Sequence, residues 1–226
     1  MTTWVLLMVF AALCGSIPTG YLLGRLRHID IRDHGSGNIG ATNVARVLGF
    51  RYGALCLALD MLKGLVPALA AGFVKGLVPA TFLARPLQPE HGWLWLAVVC
   101  LTVLGHMYSP WVSFRGGKGV ATGLGAMLGV FPYLTMPAIG ALALWGVVAL
   151  LWRYVSAASC LAALSLTAWV YVWAKISGLG GPARAGMTPF FVATAVMGLW
   201  VIYRHRSNLR RLLAGKESRL GHRVRV

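Results

Sequence analysis

Four short polar segments carry the residues able to do chemistry in an otherwise apolar chain. The first, HGSGNIGATNVAR at 34–46, sets Gly35, Gly37 and Gly40 beside Ser36, Asn38, Thr42, Asn43 and Arg46. Glycines let the backbone turn and approach a ligand closely. Exposed N–H groups ahead of a helix start at Thr42 or Asn43 favour negative charge, and Arg46 adds fixed charge, so the segment outlines an anion site. The same composition also suits an ordinary solvated turn, and the other segments must decide. The second, GHMYSPWVSFRGGKG at 105–119, offers His106, Arg115, Gly116, Gly117 and Lys118. It is no Walker A loop, because Val112 stands where GxxxxGK[ST] needs its first glycine and Gly119 where it needs a hydroxyl. In the third, WRYVSAAS, Arg153 precedes Ser156 and Ser159, and Ser156 could donate to a ligand or cap the next helix. The fourth, from residue 203 onward, places His205 and Asn208 on one helix face, followed by the basic and leucine positions of an interfacial helix.

The rest of the chain must hold these segments, and its composition says how. Of 226 residues, 58% are hydrophobic and 12% charged, and the mean hydropathy is +0.72. Those values exclude an ordinary soluble domain and indicate a polytopic membrane protein. The formal charge of +16 would suggest nucleic acid in a soluble chain. Here cytoplasmic loop bias and anionic lipid account for it, and no nucleic-acid partner is expected. Cys14, Cys56, Cys100 and Cys160 lie at wide spacing in apolar runs, so they read as packing residues, with no metal site and no disulfide framework.

Apolar runs at 4–23, 53–74, 93–111, 134–152, 156–174 and 188–203 predict six spans, the first a retained helix rather than a signal peptide. Arg25, Arg27 and Arg32 follow the first run and put the N-terminus outside. The short stretch VATGLGAMLGVFP after Lys118 reaches only about 20 Å, yet charge requires that it cross. Otherwise Arg153 and the basic tail would end up outside. With a crossing, only Lys75, Arg85, Lys175 and Arg184 are external. The expected fold is therefore an all-α integral membrane protein with seven transmembrane helices, one of them short. The N-terminus is outside, the C-terminus cytoplasmic, and 1–226 form one domain with an interfacial tail from about 204. So short a helix implies that GGKG sits below the membrane surface. Spacings such as Gly20/Gly24 and Gly119/Gly123 suit helix packing. Asp60 and Lys63 share a face of the second span, as a packing ion pair or a ligand contact. On this topology all four polar segments face the same side, and several Arg/Lys groups with glycine amides suit a phosphomonoester better than a carboxylate.

SGNIGATNVAR at 36–46, GHMYSPWVSFRGGKGVAT at 105–122 and HRSNLRRLLAGKES at 205–218 resemble, in order, three cytoplasmic motifs of the bacterial membrane glycerol-3-phosphate acyltransferases that use acyl phosphate. GSIPTGYLLGR at 15–25 and DMLKG at 60–64 extend the resemblance over essentially the whole chain. Arg115 replaces a usual lysine and Leu209 a common isoleucine, keeping charge or bulk. The resemblance implies acyl transfer to the 1-hydroxyl of glycerol 3-phosphate, giving lysophosphatidic acid and inorganic phosphate, the first step of phospholipid synthesis. It implies a monomer in the bacterial inner membrane among lipids, with the site facing the cytoplasm. By motif, Ser36, Arg46 and Lys118 hold phosphate, helped by the backbone from Gly37 through Asn38 to Gly40, by the GGKG glycines Gly116 and Gly117, and by Ser156. His205 and Asn208 orient the glycerol hydroxyls, while Thr42, Asn43 and His106 support the loops. Acyl phosphate is already activated, so no cofactor, metal or covalent enzyme intermediate is expected. Either His205 or a substrate phosphate oxygen accepts the proton.

Three competing readings remain at this level. HIDIRD, with His28 and Asp33, has the HxxxxD spacing of another glycerolipid acyltransferase class, but that class needs a soluble α/β fold absent here. The short helix and Asp60/Lys63 also fit a transporter for organic phosphates. A structural lipid-binding protein explains the basic tail and leaves the polar motifs unexplained.

Overall fold

The computed structural model describes residues 1–79, 86–179 and 185–220, and among these helices are the only regular structure. Arg85 and Arg184, expected outside, and residues 221–226 of the expected tail lie outside the described residues. Six stretches are long and apolar enough to cross a membrane: Thr2–Arg25, Phe50–Val74, Pro89–Val112, Thr135–Trp152, Val155–Ile176 and Ala185–Arg204. Each contains or closely overlaps an expected run. Side chains such as Leu150, Leu151 and Ile176 point outward, more than 70% exposed, as a lipid-facing surface requires.

The first stretch is not the continuous helix its composition predicts. It divides into α1 (Thr2–Ser16) and α2 (Thr19–Arg25), because Pro18 lacks an N–H and drives Ile17 to an extended conformation, φ −59° and ψ 116°. After α2 the chain crosses the polar end as α3 (Ala41–Leu48), then enters the bundle as α4 (Phe50–Val74) and returns as α5 (Pro89–Met107). Next come α6 (Val120–Gly129), α7 (Thr135–Trp152), α8 (Val155–Ile176), α9 (Thr188–Arg204) and the short α10 (Arg206–Leu213). The core away from the polar end is aromatic: the Tyr133 ring stacks on Phe190 at 5.6 Å and meets the edge of Trp95 at 6.2 Å.

Ten residues make α6 about 15 Å long, half a hydrocarbon core. It starts deep. A Cβ on Gly125 would lie 2.0 Å from the Met61 carbonyl, and one on Gly64 would lie 2.1 Å from the Thr122 carbonyl. These glycines let α4 and α6 touch backbone to backbone. Met61 stands eleven residues into α4 and Gly125 five residues into α6, and the two helices run in the same direction, so α6 begins about 9 Å along the axis of α4 from its polar end. The expected spacing at Gly119/Gly123 packs against side chains instead of backbone: a Cβ on Gly119 would stand 3.0 Å from Val103 Cγ1 and 3.1 Å from Met107 Sδ, and one on Gly123 would stand 3.6 Å from Met197 Cε. Lys118 before α6 and Ser156 after α7 both reach the α9–α10 end of the bundle, so α6 leads away from the polar end and α7 comes back to it.

Candidate active site

The 34–46 loop is shaped by its own amides. Gly35 and Gly37 take φ of +63° and +67°, a left-handed conformation that glycine adopts without a Cβ clash. Asn43 fastens the loop from α3: its Oδ1 accepts from the Ser36 N–H at 2.8 Å, and its Nδ2 donates to the carbonyls of Ile31 at 3.2 Å and His34 at 3.1 Å. Asn38 Oδ1 accepts from the Gly40 N–H at 2.9 Å. The helix starts one residue before the expected Thr42, with Gly40 as its cap and Thr42 in its first turn. Ser36 is exposed at the loop tip. Arg46, half-buried in the last turn of α3, donates to the Ser218 carbonyl at 3.4 Å, and burial pushes its guanidinium below the ordinary value.

The GGKG loop is held from beneath and from one side. Gly116 N–H donates to Met107 O at 3.1 Å and Gly117 N–H to His106 O at 3.2 Å. Gly117 lies against the His106 ring so closely that a Cβ would stand 2.1 Å from Nε2, and Arg204 donates to the Gly117 carbonyl at 2.8 Å. His106 is thus a support for the loop, buried under it. The loop delivers Lys118 to Asn208 Oδ1 as a hydrogen-bond donor. Burial, against the pull of Glu217, lowers the Lys118 ammonium to about 8.

His205 sits at the junction where α9 ends and α10 begins, and Asn208 lies in α10; both are buried. His205 Nδ1 lies 2.9 Å from the Val201 carbonyl. A carbonyl only accepts, so the proton is on Nδ1 and Nε2 carries the free lone pair. Burial first, and the nearby Lys118 charge second, push this imidazole down to about 4. It is neutral at physiological pH and offers an acceptor to a hydroxyl.

Ser156 does not cap α8, whose N-cap is Tyr154 with no side-chain bond. Its hydroxyl donates to Glu217 Oε1 at 3.1 Å, and Glu217 is the residue that sequence reasoning missed. The same carboxylate accepts from Asn208 Nδ2 at 2.6 Å and from Arg211 Nε at 2.9 Å. Burial alone would raise this carboxyl, but the Asn208 and Arg211 hydrogen bonds outweigh it and hold it below the ordinary value. Residues beyond it continue as a strap: Arg153 donates to the Leu220 carbonyl at 3.1 Å, and Leu220 N–H returns a bond to Arg153 O at 2.6 Å. Glu217→Ala would leave Ser156, Asn208 and Arg211 without their acceptor. It is expected to lower the melting temperature in detergent by about 4 °C. That stabilisation is present at neutral pH and fades as pH falls below the carboxyl's ordinary 4.5; an unchanged melting curve would show that these bonds contribute nothing.

Asp60 and Lys63 pair with each other at 2.8 Å inside the bundle rather than reaching Lys118 or Arg46. His28 and Asp33 are both exposed, and the neighbouring carboxylate, Asp30, is taken by Arg32 at 2.6 Å. His28→Ala should therefore leave turnover within about twofold of wild type, as for other exposed positions; a loss as large as that from His205→Ala would move the catalytic assignment to HIDIRD.

The arrangement thus gathers cationic side chains, a neutral imidazole, an amide and glycine-lined backbone at one end of a helical bundle. Comparisons with known proteins bear on what it binds. A family model described as glycerol-3-phosphate acyltransferase matches residues 5–215. Proteins of that name from Trichlorobacter lovleyi, Aquifex aeolicus and Geobacter sulfurreducens are 38%, 40% and 42% identical to this chain. They match over 97%, 94% and 97% of it and over 98%, 97% and 98% of their own lengths. Two crystal structures of PlsY (YgiH), an integral membrane glycerol 3-phosphate acyltransferase, superpose with TM-scores of 0.80 and 0.77 at 38% identity. Each covers 97% of this chain and 96% of its own; one is the glycerol 3-phosphate form and the other the lysophosphatidic acid form.

Proposed function

The chain belongs to the glycerol-3-phosphate acyltransferase family, and from that premise we propose that its polar end is the site at which glycerol 3-phosphate is acylated to lysophosphatidic acid. The activity is that of an acyltransferase of phospholipid synthesis in a multi-pass membrane protein. One observation carries the assignment of the site: Lys118, Asn208, Glu217 and Ser156 form a continuous hydrogen-bonded set drawn from distant parts of the chain, with Arg46 joined to the same strap through Ser218.

In this reading the donor is acyl phosphate. The 1-hydroxyl attacks the acyl carbonyl, a new ester C–O bond forms, the bond from the acyl carbon to the phosphate oxygen breaks, and inorganic phosphate leaves. Arg46 and Lys118 hold and neutralise phosphate, with Ser36 and the amides from Gly37 to Gly40 on one side and Gly116 and Gly117 on the other. Ser156 joins them by exchanging its bond to Glu217 for one to phosphate. His205 Nε2 accepts the hydrogen bond that aligns the hydroxyl, and Asn208 fixes a second oxygen. The proton ends on phosphate: an imidazole lowered to about 4 is a weaker base than a phosphate dianion, whose conjugate acid has a pKa of about 6.

The topology that fits is seven crossings, with α6 as the short one, the N-terminus outside and the site on the cytoplasmic side of the inner membrane. This reading takes the chain as a monomer. Of the two features behind the transporter reading, the short helix and the Asp60/Lys63 charges, the second has a packing explanation, because those charges pair within the bundle. Purified protein given acyl phosphate and labelled glycerol 3-phosphate, without coenzyme A or added metal, should yield labelled lysophosphatidic acid. Folded protein that yields none would defeat this function.

A further inference from the structure

A polar cluster lies beneath the site, in the helices that carry it, and the steps above do not use it. Its centre is Asp60 on α4, 1% exposed. Asp60 Oδ1 accepts from Lys63 Nζ at 2.8 Å and from Thr19 Oγ1, the first residue of α2. His106 Nδ1, on the last turn of α5, lies 3.7 Å from the same oxygen, and Cys56 Sγ, one turn before Asp60, lies 3.7 Å from Oδ2. Lys63 Nζ also donates to the Ile17 carbonyl at 2.7 Å, where Pro18 breaks the first stretch. A buried carboxylate with this many neighbours is costly unless each is satisfied. Two helices could be packed with apolar residues instead, and the neighbours of Asp60 indicate what the charge is for.

Each of the two phosphate loops rests on a neighbour of Asp60. On the first side, Thr19 is followed by Gly20, which meets the Ile39 carbonyl of the 34–46 loop so closely that a Cβ would stand 1.8 Å away. Cys56 Sγ points to the same Ile39 carbonyl at 3.9 Å. On the second side, His106 carries Gly117 on its ring and receives the Gly117 N–H on its carbonyl. Lys118 is the next residue. A single carboxylate therefore accepts a hydrogen bond from Thr19 on the side of the Arg46 loop and, on the side of the Lys118 loop, stands against the His106 ring without a hydrogen bond. A displacement of about 1 Å at a reacting group costs about a hundredfold in rate, so the separation of these loops has to be fixed.

We propose that Asp60 is a positioning residue for both phosphate loops, with Thr19 and His106 as its two arms. Lys63 balances its charge and donates to the Ile17 carbonyl at the break between α1 and α2. This role presupposes the acyl-transfer reading, and it makes a claim that helix packing alone does not. A pair that only holds helices together sets how much enzyme is folded; it does not set the affinity for substrates.

The test is steady-state kinetics on purified enzyme, with the folded fraction of every variant measured by size-exclusion chromatography. Thr19→Val keeps the shape of the side chain and removes its donor. It is expected to raise KM for glycerol 3-phosphate about threefold or more, and Thr19→Ser, which restores the hydroxyl, should return it to the wild-type value. Asp60→Asn combined with Lys63→Met removes both charges without leaving either alone, and should raise KM for both glycerol 3-phosphate and acyl phosphate about tenfold. If the double variant fails to fold, the Thr19→Val and Thr19→Ser pair decides. Unchanged KM values, with rate losses that track the folded fraction, would overturn the positioning role while leaving acyl transfer intact. No lysophosphatidic acid from the wild type run alongside would overturn the functional reading itself.

Discussion

Lys118→Met should cut kcat/KM for acyl transfer by about a hundred- to a thousandfold, the range seen when one preorganised stabiliser of developing charge is removed. Methionine preserves the length and packing of the stem, so the loss reports the ammonium. The ammonium is placed by a loop with little freedom, pinned to Met107, His106 and Arg204, so water cannot readily take its place. Its titration gives a second readout. Burial lowers Lys118 to about 8, so the group is charged below that pH and neutral above it, and kcat/KM should fall as pH rises through about 8. Lys118→Arg keeps charge at all accessible pH. It should retain more activity than Lys118→Met and lose that alkaline limb. A wild-type profile flat to pH 10, or an arginine variant with the same limb, would remove Lys118 from the role.

His205→Ala should lower kcat by about a hundredfold or more, within the range for one preorganised hydrogen-bond partner at the reacting group. His205→Gln discriminates between the two proton acceptors, because an amide can accept a hydrogen bond from the hydroxyl and cannot take its proton. With the proton passing to phosphate, glutamine should recover a large part of the rate lost in alanine. The histidine is neutral above about pH 4, so it should add no step to the pH profile between 5 and 8, where the substrate phosphate titrates. A glutamine variant as slow as alanine would make the imidazole the base.

The loops were legible in the sequence because their chemistry is local. Glycines that must turn stand beside the amide that fastens them, and Asn43 bonds to Ser36, His34 and Ile31 within the same segment. The apolar runs were legible by length, and so was α6, whose apolar stretch is too short for a full span. Glu217 was hidden because its meaning depends on Ser156, sixty-one positions away; in sequence it is one acid in a basic tail, which reads as a surface ion pair. Arg204 was hidden likewise, since its partner is a backbone carbonyl in the GGKG loop. The break at Pro18 was overlooked because proline does not always divide a helix: Pro67 lies inside α4, which continues through it. At the Pro18 break the Ile17 carbonyl accepts from Lys63 Nζ, a partner that only the fold brings to it.

A half-length α6 that begins about 9 Å along α4 bears on an energetic question that acyl transfer raises, the cost of moving a fatty chain. Drawing a chain out of a bilayer costs about 0.8 kcal/mol per methylene, so lifting ten of them into water would cost about 8 kcal/mol, comparable to the whole acceleration of a modest enzyme. On the acyl-transfer reading, a Lys118 loop set below the polar end of α4 lets the acyl tail stay in the leaflet while the water-soluble partner descends to it. On that reading the extraction cost is not incurred, and the product is released directly into the membrane that it is made to build.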